Sequence, residues 1–296
     1  MYNTTLDIMN CKTNKIDFII VLVLAIILAC GLSFAQNLWL QSLAYVIPVL
    51  FLIMLGLIRG DWKSSFYHMH LPKRRETICV SAVMAGTLTL AIGLRFLGQY
   101  LVALLPFSTF LGTKVVPQTS ITGFLIAMVF IPAIFGEILH RGYLLSRLVV
   151  ISKEKTGRAI FFSAVIFAVL SLDIAQFLPQ MALGIAAAWV VIETKNLLFP
   201  MVFAMLNNLL VSLERILLAN PNSRIQESLG ASMTIPQVIG ILFICAAVAF
   251  VSIYFGGRNL HQRQKSTLSE LLILFLCAFI FLLIGSAFTF FGRGAI

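Results

Sequence analysis

The stretch "FGEILHRGYL", residues 135–144, places Glu137, His140 and Arg141 inside an apolar run from Ile121 to Ile151. A carboxylate, an imidazole and a guanidinium this close supply groups for proton transfer, metal ligation or stabilisation of an oxyanion. A charge at the centre of a bilayer costs about 2.5–3.5 kcal/mol on insertion scales, so ionisable residues there are functional candidates by default. Glu137 and Arg141 stand four apart, share a helix face and predict an ion pair. Glu137 and His140 stand three apart, an E-x-x-H step able to present two ligands on one face. The competing structural readings are an ion pair that pins the helix and a histidine that bonds a neighbour or snorkels.

Other polar residues fall at comparable depth along neighbouring runs. At about 1.5 Å per residue, Arg141 lies about 15 Å and Glu137 about 21 Å from the inner end of their span. Ser171 and Asp173 fall about 18 and 21 Å into the next span, and Asn207 and Asn208 about 10 Å into a later one, with Glu214 deeper. Asn207 and Glu214 share a helix face. Together these residues could line one polar cavity. Alternatively the asparagines are interhelical hydrogen bonds, worth about 0.6–2 kcal/mol each.

The elements that must position them are transmembrane helices. Of 296 residues, 60% are hydrophobic and only 11% charged, more apolar surface than a soluble domain of this size can hide. The runs read as nine spans, at about 17–35, 38–58, 77–104, 121–151, 159–178, 180–193, 200–219, 237–255 and 268–291, most of them long enough to cross hydrocarbon. The expected fold is one all-α polytopic domain over 1–296, a bundle of eight or nine transmembrane helices. The sixth run is short and rich in small residues, which suits close helix approach in lipid. The first run is long and lacks a small-residue cleavage site, so it reads as an anchor and not a cleaved signal.

The net charge of +10 is an orientation signal and not a nucleic-acid footprint. With the N-terminus in the cytoplasm, the outer segments hold only Lys114, Arg224 and Arg293, while Arg95, Arg141 and Arg215 fall within spans; the rest of the 21 Lys and Arg lie on the inner side. That bias follows the positive-inside rule. The run "LPKRRET" is a topology anchor that can also touch anionic lipid. The five cysteines, Cys11, Cys30, Cys79, Cys245 and Cys277, show no CxxC pairing and read as small buried hydrophobes.

Three segments in order, "GEILHRGYLLSRL", "AIFFSAVIFAVLSL" and "PMVFAMLNNL", resemble the CPBP family, also called Abi: CAAX-type intramembrane metalloproteases and bacteriocin-processing or immunity proteins. The resemblance covers about residues 121–220, the CPBP-like core. It implies motifs EExxxR, FxxxH and HxxxN on successive helices facing a cavity, with glutamate and histidines holding a metal or polarising water and asparagine stabilising the oxyanion. The second glutamate of that pattern falls on Glu137, the arginine on Arg141, the phenylalanine on Phe167 and the asparagine on Asn207. The first glutamate falls on Gly136, and the two histidines on Ser171 and Phe203.

A catalytic zinc typically takes three protein ligands and an open position. Only four histidines are present; His68, His70 and His261 lie in expected loops, which leaves His140 as the intramembrane one. The reading drawn is a non-catalytic member of the family, with no cofactor, comparable to lysostaphin-resistance-type membrane proteins. Its expected partners are membrane lipid and a protein of the membrane or envelope: a cell-wall hydrolase, a sensor kinase or a bacteriocin system. A second reading keeps an active intramembrane endopeptidase, with zinc held in a site rewired around Glu137, His140 and Asp173. A third is a transporter or lipid-binding protein, against which stands the lack of a two-half repeat.

Overall fold

The computed structural model describes residues 15–33, 37–59, 69–104, 120–152, 155–219, 234–260 and 268–293. All regular structure among them is helical. In chain order the runs are α1 Lys15–Ser33, α2 Leu38–Arg59, α3 Arg74–Ala103, α4 Ile121–Ile151, α5 Thr156–Leu170, α6 Ile174–Thr194, α7 Leu198–Ala219, α8 Ile235–Leu260 and α9 Leu268–Arg293. Six of these (α2, α3, α4, α6, α8 and α9) are long and apolar enough to cross a membrane, and α1, α5 and α7 contain shorter apolar helices. The chain is a polytopic membrane protein. The many large apolar side chains left exposed, such as Ile58, Phe275 and Leu276, face the one solvent that favours them.

The chain divides into two compact units. The first holds α1, α2, α4, α5, the last third of α6 and most of α7. Its core has two clusters. Val21, Val49, Leu52, Leu139 and Leu144 join α1, α2 and α4; Leu145, Leu148, Ala159, Ala188, Val191 and Met201 join α4, α5, α6 and α7. The second unit holds α3, the first part of α6, α8 and α9. Lipid tails are as apolar as leucine, so its helices associate by close packing at small residues. A Cβ added to Gly240 would lie 2.6 Å from the Gly285 carbonyl oxygen, and one added to Gly285 would lie 2.7 Å from that of Gly240. The α8–α9 crossing therefore admits only hydrogen at both positions.

One correction to the expected spans concerns the polar residues. The expected spans 159–178 and 180–193 meet at Pro179, whereas the helices break at Ser171–Asp173. Leu172 adopts a left-handed φ of 50°, which ends α5. The Asp173 Oδ1 accepts the N–H groups of Ala175 and Gln176 at 3.0 and 3.3 Å, a side-chain cap that starts α6. Pro179 sits inside α6 and removes the N–H that would have reached the Ala175 carbonyl. Gly98 of α3 packs directly on that carbonyl oxygen, where a Cβ would collide. Ser171 and Asp173 are thus helix-end residues and not mid-helix groups.

The α4 span keeps its expected bounds, 121–151, but it is not a uniform α-helix. Ile126–Phe130 and Ile138–Leu144 are π-helical turns. The N–H of Ile131 donates to the Ile126 carbonyl and that of Leu145 to His140, each five residues back. The first turn has a local cause: Pro132 offers no N–H and crowds the carbonyl four residues earlier, and the wider register relieves both. The second carries His140 and Arg141 and contains no proline.

Candidate functional site

The π-helical turn after Glu137 gathers the opening residues in the first unit. Glu137, His140 and Arg141 are 3%, 2% and 1% exposed. The Arg141 Nη1 donates to the Glu137 Oε1 at 3.0 Å, the pairing that the four-residue spacing predicts. The ring of Phe167, from α5, completes the group. The Arg141 guanidinium carbon lies 4.0 Å from its centroid. The His140 ring meets it edge-on at 5.1 Å and 78°. A cation stacked on a desolvated aromatic face gains about 2 kcal/mol, so Phe167 holds the charge that Glu137 also holds.

The pairing is incomplete in hydrogen bonds. Among the described residues, Glu137 Oε2, His140 Nδ1 and Arg141 Nε have no partner, and neither has the buried Ser163 Oγ one turn before Phe167 on α5. Buried polar atoms are normally satisfied, and π-helical turns recur at functional sites. The cluster is thus a group of polar atoms buried among apolar side chains.

The remaining candidates stand as follows. Gly136 is buried, and a Cβ there would meet the Tyr45 ring of α2 at 3.5 Å. A longer side chain would be directed at that ring. Ser171 donates its hydroxyl to the Ala168 carbonyl at 2.7 Å, at the end of α5. Asp173 is occupied as the α6 cap. Phe203 and Asn207 are buried on α7, and Asn208 is half-buried. His70 is exposed, while His68, His261, Arg224 and the side chain of Glu214 lie outside the described residues.

Among the described residues, no three His, Cys, Asp or Glu side chains come together as a group able to hold a metal ion. Glu137 and His140 supply two donors, and Arg141 places a positive charge against the first. That donor set does not fit the three-ligand zinc site which the resemblance implies.

Sequence reasoning missed two contributors. Phe167 entered only as a motif match, although an aromatic residue on the neighbouring helix is a natural cover for a buried arginine. Asn196, fully buried, accepts the Leu198 N–H at 3.0 Å and donates to the His70 carbonyl at 2.8 Å. It caps α7 and ties the segment before α3 to the α6–α7 turn.

The family model described as type II CAAX prenyl endopeptidase Rce1-like matches residues 117–210. That is under half of the chain, and it spans α4, α5, α6 and the first part of α7. No curated protein and no solved structure matches the chain.

Proposed function

We propose that this chain is a non-catalytic membrane protein built on an Rce1-like core, acting as a partner or regulator of another membrane or envelope protein. The observation that carries the reading is the commitment of Glu137. Its carboxylate is paired with Arg141 at 3.0 Å in a site where both are buried, and Arg141 is in turn stacked on Phe167. A carboxylate that must polarise water or ligate a metal needs its lone pairs and its charge available. Here one carboxylate oxygen is held by Arg141 within α4, and the stack of Arg141 on Phe167 joins α4 to α5. Gly136, Ser171 and Phe203, at the positions of the family's first glutamate and two histidines, support the same reading. The partner class follows from analogy with lysostaphin-resistance-type proteins: a cell-wall hydrolase, a sensor kinase or a bacteriocin system. The bias of basic residues supports an orientation with the N-terminus in the cytoplasm.

The test is complementation. A strain lacking the gene is scored for its envelope phenotype and rescued with the parent or with His140→Ala. Equal rescue by a stably expressed His140→Ala variant is the expected result. Loss of rescue would refute the reading.

A second reading has one observation in its favour. Glu137 Oε2 and His140 Nδ1, three residues apart, are both buried and lack a partner among the described residues, which is what an E-x-x-H pair awaiting a guest would show. It would require a further ligand, because Asp173 is occupied in capping α6.

A further inference from the structure

We draw no further inference here: the strongest candidate, the side-chain cluster at the α3–α6 crossing where Arg95 donates to Gln176 at 3.3 Å and the buried Gln180 Oε1 has no partner among the described residues, carries nothing because Arg95 is already held by Gln176 and nothing in the structure shows what would meet Gln180.

Discussion

Glu137→Gln leaves Arg141 as a buried charge without its counter-ion. The replacement keeps the shape of the side chain and one acceptor oxygen, so the loss is the charge. Breaking a buried pair by removing one partner costs about 3–5 kcal/mol. Arg141 keeps its stack on Phe167, worth up to about 2 kcal/mol, so the effect belongs near the lower figure. The decisive comparison is the double variant Glu137→Gln/Arg141→Met. Replacing a whole buried pair by groups of similar volume is often neutral or stabilising, so the double variant should be more stable than the single. Thermal unfolding of the parent, both singles and the double in one detergent closes the cycle. If Glu137→Gln is as stable as the parent, Glu137 faces water and has another task. If the losses in the two singles simply add in the double, the 3.0 Å contact carries no coupling, and the pinning role is wrong.

Further expectations follow. A reporter fused after Arg75 should be cytoplasmic, and one found outside would overturn the orientation. Gly98→Leu should strip α3 from α6 and lower folded yield sharply, because the Ala175 carbonyl already occupies the space; wild-type yield would contradict the packing. Asn196→Ala should cost about 1–3 kcal/mol by leaving a helix start and the His70 carbonyl unpaired, read as a lower unfolding temperature; Asn196→Asp should recover only the cap.

Much of the fold is legible in composition and spacing. Long apolar runs punctuated by polar turns give the helices, and the Glu137–Arg141 contact follows from four-residue spacing. What escapes the sequence depends on competition between local and tertiary effects. Pro179 looked like a boundary, but a proline in a buried helix is tolerated where a neighbour, here Gly98, packs against the freed carbonyl. The true break at Leu172 is invisible because leucine is an uncommon left-handed residue, although Asp173 just beyond it is a recognisable cap. The π-helical turns are a matter of hydrogen-bond register, which residue identity barely signals apart from Pro132. As a consequence Ser171 and Asp173 end helices and do not project from the middle of one.

The most direct measurement of a non-catalytic role is the metal content of the purified full chain, by elemental analysis after metal-free washing. Glu137 bound to Arg141, with His140 set against Phe167 and no third donor gathered among the described residues, should hold less than a stoichiometric amount of zinc. About one zinc per chain, lost in a folded His140→Ala variant, would contradict the reading and make Glu137 and His140 ligands of a working centre.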